Sequence, residues 1–260
     1  MDMSSGGVAF ALSHATLEGK ITISVLLLFS LVSWTVIINK FRQLSKAKNR
    51  NGQFLDLYSR SKSPLVIFNK GRVTQLQGSP MYDLYFGGCE ELQAQQTKYG
   101  TEKVPHHGMN AIRIALERVL GESAVGLESG MIVLATAISG GPFIGLLGTV
   151  WGVMDTFSGI GRAQQATLTT MAPGVASALI ATVAGLMVAI PSLFCYNFLV
   201  TKIKALTMEL DNFAAHLETM FMAEYLRPKD QFEAAVLELE DMRPKSADKE
   251  EGEAMGATAH

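Results

Sequence analysis

Three long runs without a charged side chain constrain the fold of this chain more than any other feature. The uncharged runs are Ile21 to Ile38, Ser129 to Met154 and Ala163 to Thr201. An α-helix rises 1.5 Å per residue, so about 20 apolar residues cross the roughly 30 Å hydrocarbon core of a bilayer. A buried helix of a soluble protein would rarely be apolar on all sides. We therefore predict an all-α membrane protein with three transmembrane helices, at residues 21–39, 131–155 and 174–200.

Composition excludes several other classes of protein. Charged residues make up 18% of the chain, below the roughly 25% of soluble domains, and the mean hydropathy is positive. These values argue against a disordered chain and against a nucleic-acid-binding surface. Cys89 and Cys195 are far apart and belong to no Cys/His spacing, so we expect neither a disulfide nor a metal or other cofactor. No nucleophile elbow, phosphate loop or paired carboxylate occurs, so we expect that the protein is not an enzyme.

The distribution of basic residues predicts the orientation of the three spans. Lys20 is the only Lys or Arg before the first span, whereas five follow it between Lys40 and Arg50. Basic residues accumulate on the cytoplasmic side of a membrane, which predicts an outer N-terminus and a cytoplasmic C-terminus. The expected segments are an outer N-terminal stretch at 1–20, a cytoplasmic helical region at 40–130, an outer connection at 156–173, a cytoplasmic amphipathic helix at 201–227 and an acidic, partly disordered cytoplasmic tail at 228–260.

The regions next to the second and third spans are expected to continue them as helices. From Gly108 to Ser129 apolar residues recur at helical spacing, and Arg113 and Glu117 form a helix-surface pair four residues apart. No proline or turn cluster separates this stretch from the second span. The stretch after the third span is amphipathic as far as Pro228. We therefore predict that both spans extend into long cytoplasmic helices.

Small residues recur on one face of each of these two spans. The second span carries Gly141, Gly145, Gly148 and Gly152, and the third carries Gly174, Ala178, Ala181 and Gly185. Small residues allow helix backbones to approach closely in a membrane. The spacing leaves two interpretations open: the two helices pack against each other within one subunit, or many such helices line a shared oligomeric interior. Thr149 and Thr182 lie on these faces, although a threonine in a membrane helix usually bonds a carbonyl of its own helix.

Three prolines affect the hydrogen bonding of the same two spans. Pro142 follows two glycines inside the second span and is expected to kink or loosen it. Pro173 is expected in the first turn of the third helix, where the missing N–H would have no partner in any case. Pro191 lies well inside the third span, where a kink would act as a hinge or shape a packing surface.

The second and third uncharged runs contain no Asp, Glu, Lys, Arg or His. Proton and ion pathways through membranes normally contain such residues. Asp155 lies at the outer end of the second span, where we interpret it as an interfacial charge. Either the chain forms no ion pathway, or a second subunit supplies the titratable group.

Two segments resemble a known family of membrane proteins. Similarity to the second and third spans of the MotA/TolQ/ExbB proton-channel family is carried by GLLGTVWGVMDTF at 145–157 and APGVASALIATVAGLMVAIPSLFCYN at 172–197. It covers about residues 110–215 and is closest to the ExbB/TolQ branch. The resemblance implies a bacterial inner-membrane subunit with a periplasmic N-terminus and a cytoplasmic C-terminus. It also implies a pentameric ring of three-span subunits around a partner dimer of the ExbD, TolR or MotB type.

The resemblance further implies how such a ring would work. An Asp on the single transmembrane helix of the partner takes up protons, and the proton flow is coupled to relative motion of ring and partner. That motion drives TonB- or Tol-dependent transport across the outer membrane, with a TonB-like protein as a further partner in the first case. A flagellar or gliding-type stator is an alternative within the same family.

Three residues correspond to the proton pathway implied by the resemblance. The two pore threonines of the family fall on Thr149 and Thr182, and Ser177 stands where the ExbB/TolQ branch usually has Glu. A serine does not take up a proton near neutral pH. We therefore expect a pore lined by Thr149, Ser177 and Thr182, in a distinct subfamily or in a weakly conducting or non-conducting member. A passive helical scaffold without proton conduction is the alternative from another class.

Overall fold

The structure is a computed structural model, and it describes residues 17–61, 63–163 and 168–227. Most of the predicted N-terminal stretch 1–20 and the whole predicted tail 228–260 lie outside the described residues, as does 164–167 in the connection.

The described residues form helices, as predicted for an all-α protein. The helices are α1 (Leu17–Ser59), α2 (Val66–Asn69), α3 (Pro80–Tyr99), α4 (His106–Glu128), α5 (Met131–Ala163) and α6 (Leu168–Tyr225), with a 3₁₀ turn at Thr74–Leu76 between α2 and α3. Within the described residues, extended pairing is confined to one isolated bridge between Val104 and Leu226. Three stretches are long and apolar enough to cross a membrane, and they lie within Glu18–Ser59, His106–Gly161 and Met171–Tyr225.

The predicted continuous helix from Gly108 into the second span is wrong, because the helix is interrupted at Ser129 and Gly130. Helix α4 ends at Glu128 and α5 begins at Met131. Gly130 has a φ of 77°, in the left-handed region that glycine adopts without strain and that commonly ends a helix. The Ser129 hydroxyl donates to the Gly126 carbonyl at 2.9 Å, which satisfies one of the last acceptors of α4.

The third apolar helix begins earlier than its proline suggested. Helix α6 begins at Leu168, so Pro173 lies in its second turn rather than its first. Pro142 and Pro191 lie inside α5 and α6, which continue as helices through both positions. The kinks expected at these prolines stay predictions.

The chain forms two compact units, of which the first holds the apolar helices. Among the described residues it comprises 17–50, 122–163 and 168–208, that is, most of α1, all of α5 and the first part of α6. Its interior is made of buried aliphatic side chains from all three helices, among them Leu26, Ile37, Leu134, Ala181 and Leu199. Many apolar side chains on the same helices are exposed, as expected of helices that face lipid or another chain.

The second unit, residues 51–121 and 209–227 of the described chain, is built around aromatic rings. The fully buried Phe54 ring lies 5.5 Å from Tyr82, 5.4 Å from Tyr85 and 5.7 Å from Phe213, between centroids. Aromatic contacts of this kind stabilise a core beyond the area that they bury. Burial raises the pKa of the Cys89 thiol in this unit to about 12, so the thiol stays protonated at neutral pH.

The end of α6 is fastened inside this second unit. The Val104 amide donates to the Tyr225 carbonyl at 2.7 Å, and the Arg227 amide donates to the Val104 carbonyl at 3.2 Å. The Lys103 ammonium also donates to the Glu224 carbonyl. The bonds to Tyr225 and Glu224 satisfy carbonyls that the last turn of a helix would otherwise leave unpaired.

Candidate functional site

The small-residue faces of α5 and α6 meet each other. A Cβ added at Gly145 would lie 2.9 Å from the Ala181 carbonyl oxygen and 3.0 Å from the Thr182 Cα. A Cβ added at Gly185 would lie 2.5 Å from the Gly141 carbonyl oxygen. Each of these distances is to a backbone atom. The two helices therefore approach each other so closely that only glycine fits at these positions. The faces thus pack within one chain, which is the first of the two interpretations that the spacing left open.

Further small residues extend this contact toward the C-terminal end of α5. A Cβ at Gly152 would lie 2.7 Å from the Ala178 Cβ, and one at Gly174 would meet the Thr156 side chain. At Gly148 the added atom would lie 2.6 Å from the Ala181 Cβ. All eight small residues of the predicted faces are therefore part of one helix–helix contact.

Helix α1 joins the same contact through a residue that the sequence reasoning missed. The Cγ2 methyl of Thr22 lies 2.9 Å from the position of a Cβ at Gly148, and Thr22 is buried. Its hydroxyl donates to the Glu18 carbonyl at 2.9 Å, so the methyl group faces the glycine. No signal in the sequence distinguishes Thr22 from other hydroxyl residues of the first span, such as Ser24 and Thr35.

The two threonines differ in how their hydroxyls are bonded. Thr182 Oγ1 donates across the helix pair to the Gly145 carbonyl at 3.2 Å. Thr149 Oγ1 donates to the Leu146 carbonyl of its own helix at 2.7 Å. Thr149 therefore follows the usual pattern of membrane helices, whereas Thr182 links α5 to α6 at the point of backbone contact.

Ser177 lies on a different side of α6 from Thr182. Five residues correspond to about 140° around an α-helix, so the two side chains diverge. Ser177 is only 8% exposed in the isolated chain, whereas Thr149 and Thr182 are half-buried. The pore role of the three residues stays a prediction, and the geometry brings Thr182, not Ser177, to the Gly145 backbone.

A buried ammonium marks the other end of the unit, where α4 ends. Lys40 is 6% exposed and lies one residue beyond the predicted first span. Its Nζ donates to the Leu127 carbonyl at 2.9 Å, the Ser129 hydroxyl at 3.3 Å and the Gln43 Oε1 at 2.8 Å. Burial lowers the pKa of this ammonium below its usual 10.5. A cation at a helix C-terminus stabilises the last carbonyls and the helix dipole, so Lys40 holds the end of α4 in place.

Replacing Lys40 by methionine is expected to lower the free energy of unfolding by about 1–3 kcal/mol. The stem would still pack, but the carbonyl of Leu127 would lose its charged donor. The change is measured by denaturant unfolding of the detergent-solubilised chain. Arg42→Met is the matched control, because Arg42 is exposed on the same helix. An equal loss in both variants would contradict a specific role of Lys40.

Three apolar helices, two of them in backbone contact, define a multi-pass membrane protein. A profile of the MotA/TolQ/ExbB proton channel family matches residues 89–212. The Tol-Pal system protein TolQ of Haemophilus influenzae is 34% identical over 210 residues, which are 79% of this chain and 90% of that protein. This chain belongs to the MotA/TolQ/ExbB family, and it is a multi-pass protein of the inner membrane.

Two further relatives are an ExbB protein and a TolQ protein. The biopolymer transport protein ExbB of Pseudomonas putida is 32% identical over 205 residues, which are 78% of this chain and 60% of that protein. The Tol-Pal system protein TolQ of Pseudomonas aeruginosa is 29% identical over 223 residues, which are 86% of this chain and 89% of that protein. The resemblance inferred from residues 145–157 and 172–197 is therefore confirmed.

Proposed function

We propose that this chain is the ring-forming subunit of a proton-driven motor in the inner membrane. It assembles as a homo-oligomer, a pentamer by family resemblance, around a dimer of an ExbD/TolR-like single-span partner. The N-terminus faces the periplasm and the C-terminus the cytoplasm. Proton flow through the assembly energises TonB- or Tol-dependent transport across the outer membrane. The observation that carries the proposal is the extended identity with proteins named TolQ and ExbB.

The chemistry of the chain supports a division of labour with the partner. The second and third uncharged runs contain no Asp, Glu, Lys, Arg or His, so the chain itself offers no group there that can carry a proton at neutral pH. It offers hydroxyl groups, above all that of Thr182, on a tightly packed helix pair. The partner supplies the carboxylate that is protonated and released. No covalent chemistry is required of the chain, in keeping with the expectation that it is not an enzyme.

Reconstitution with the partner tests this proposal. The chain is placed in proteoliposomes together with an ExbD/TolR-like single-span protein from the same organism, and proton uptake is followed under an imposed membrane potential. We expect uptake faster than in empty liposomes, and loss of this uptake when the partner's membrane Asp is replaced by Asn. Uptake equal to that of empty liposomes would favour the passive scaffold instead.

The proposal also accounts for Ser177, which stands where the ExbB/TolQ branch usually has Glu. Because the hydroxyl of Ser177 does not ionise at neutral pH, it cannot hold a proton taken from the partner's carboxylate, as a Glu at this position could. Coupling in this protein therefore depends on the partner's acid alone. A neighbouring gene of the TonB, Tol or stator type would decide which transport system the complex serves.

A further inference from the structure

A groove lies between the start of α5 and the part of α6 that leaves the third uncharged run. Its volume is about 360 Å³, which is within the range of small-molecule binding sites. Apolar side chains form both walls, and they belong to Met131, Ile132 and Ala135 of α5 and to Val200 and Ile203 of α6. All of these residues lie in the first compact unit, so the groove belongs to one folded body.

Two opposite charges line the same groove. Glu128 is the last residue of α4, directly before the second uncharged run, and Lys204 lies three residues beyond the end of the third run. Both side chains are exposed, and neither makes an ion pair or a hydrogen bond with another residue that the structure describes. The groove therefore offers a carboxylate and an ammonium that the chain does not use for its own packing.

The groove extends from these charges into the apolar part of the helix pair. Tyr196 also lines it, and at 1.5 Å per residue it lies about 12 Å from Lys204 along the axis of α6, inside the third uncharged run. Its hydroxyl makes no hydrogen bond to another described residue, so it is available as a donor. The charged end lies where the helices leave the hydrocarbon, and the apolar walls lie at the level of the acyl chains.

The charges indicate which kind of amphiphile fits. A lysine ammonium binds a phosphate, and the apolar walls suit an acyl chain. A carboxylate beside that phosphate would repel a headgroup that is only anionic. The same carboxylate would accept charge-assisted hydrogen bonds from a headgroup that also carries an ammonium group. The pair of charges therefore favours a phosphoethanolamine headgroup over a phosphoglycerol headgroup.

We propose that a phospholipid with a phosphoethanolamine headgroup occupies this groove. Its phosphate lies at Lys204, its ammonium group lies at Glu128, and one acyl chain runs between α5 and α6. The surrounding bilayer supplies the lipid. Because Glu128 ends α4 and Lys204 belongs to α6, the headgroup links the interruption at Ser129 and Gly130 to the third apolar helix. The site is separate from the contact between Thr182 and Gly145, and its occupancy does not require proton flow.

Native mass spectrometry of the detergent-solubilised full chain tests the headgroup preference. Dioleoyl phosphatidylethanolamine and dioleoyl phosphatidylglycerol are added in equal amounts, and the lipids that stay bound are counted. We expect about two- to fivefold more phosphatidylethanolamine than phosphatidylglycerol, as for one exposed ion pair. Both lipids have the same acyl chains, so the difference reports on the headgroup alone. Equal retention, or more phosphatidylglycerol, would overturn the proposal.

Two charge variants test the residues. Glu128→Gln should lower the retention of phosphatidylethanolamine and raise that of phosphatidylglycerol, because it removes both the attraction and the repulsion. Lys204→Gln should lower the retention of both lipids by about two- to fivefold, because both contain a phosphate. Glu122→Gln and Lys202→Gln are the matched controls, since they remove exposed charges of α4 and α6 that do not line the groove. The same retention in groove variants and controls would contradict the assignment.

Narrowing the groove tests the place of the acyl chain. Ala135→Leu adds bulk to one wall and should lower the retention of both lipids, whereas Ala176→Leu, at an exposed position of α6 outside the groove, should not. The same spectra show the oligomeric state. If monomers retain phosphatidylethanolamine and oligomers do not, a neighbouring copy fills the groove and the lipid proposal is wrong. If Ala135→Leu does not fold, the two charge variants decide.

These measurements are independent of the proposed function. The chain is studied without its partner, and proton uptake enters none of them. Loss of the lipid site would leave the proton-motor proposal standing. Proton uptake no faster than in empty liposomes would overturn the motor and leave the lipid site standing.

Discussion

Replacing Thr182 by valine is expected to reduce proton uptake of the reconstituted complex to that of empty liposomes. Valine has nearly the same shape as threonine, so the helix pair should still fold. It lacks the hydroxyl that donates to the Gly145 carbonyl across α5 and α6. If that hydroxyl lines the path of the proton, its loss leaves an apolar surface that neither water nor a proton can use. Thr182→Ser keeps the hydroxyl and should retain most of the uptake.

Thr136 provides the matched control for this experiment. It lies on α5 with its side chain exposed, and its hydroxyl donates to the Ile132 carbonyl of its own helix at 2.8 Å. Thr136→Val should therefore conduct normally. The amounts of all variants in the membrane are compared by immunoblot before uptake is measured. Full uptake by Thr182→Val at a normal membrane level would exclude the pore role of Thr182.

A second large effect is expected from one methyl group at Gly145. The added Cβ of Gly145→Ala would lie 2.9 Å from the Ala181 carbonyl oxygen and 3.0 Å from the Thr182 Cα. Both atoms belong to the backbone, so the helices must separate rather than a side chain move aside. Overpacking of this kind costs about 1–3 kcal/mol, and separation would also lengthen the hydrogen bond from Thr182. Both the temperature of thermal inactivation and the rate of proton uptake should therefore be lower than in the unaltered chain.

Gly140 gives a control five residues away on the same helix. A Cβ at Gly140 would have no neighbour within 4 Å. Gly140→Ala should therefore leave stability unchanged or raise it slightly, because alanine favours a helix over glycine. Equal behaviour of the two variants would mean that α5 and α6 are not in backbone contact in the membrane.

The long helices could be predicted from the sequence because their signal is local. A run of about 20 uncharged residues predicts a helix that either spans a membrane or is buried inside a protein. The spacing of Gly141, Gly145, Gly148 and Gly152 likewise predicts a smooth face, since 3.6 residues per turn place them together. The surface against which that face packs could not be predicted. The same glycines would suit contact with another helix of the same chain or with a neighbouring copy.

One error arose where the local signal was weak. The interruption at Gly130 lies between two apolar stretches, and only a single glycine marks the end of α4. The divergence of Ser177 from Thr182 follows from their separation of five residues, and the pore role of both stays a prediction. The bonds of Lys40 were beyond sequence reasoning, because the carbonyl of Leu127 lies 87 residues away.

The backbone contacts between α5 and α6 also restrict how this pair can move. Shear slides packed helices past one another, so each residue at the contact would exchange its neighbour. Where Gly141 meets Gly185, and Gly145 meets Ala181, a slide of one residue would bring a side chain against backbone, where a Cβ does not fit. The two helices should therefore travel as one rigid body. In the proposed motor, a stroke driven by protons would then be absorbed at the surfaces between copies or against the partner.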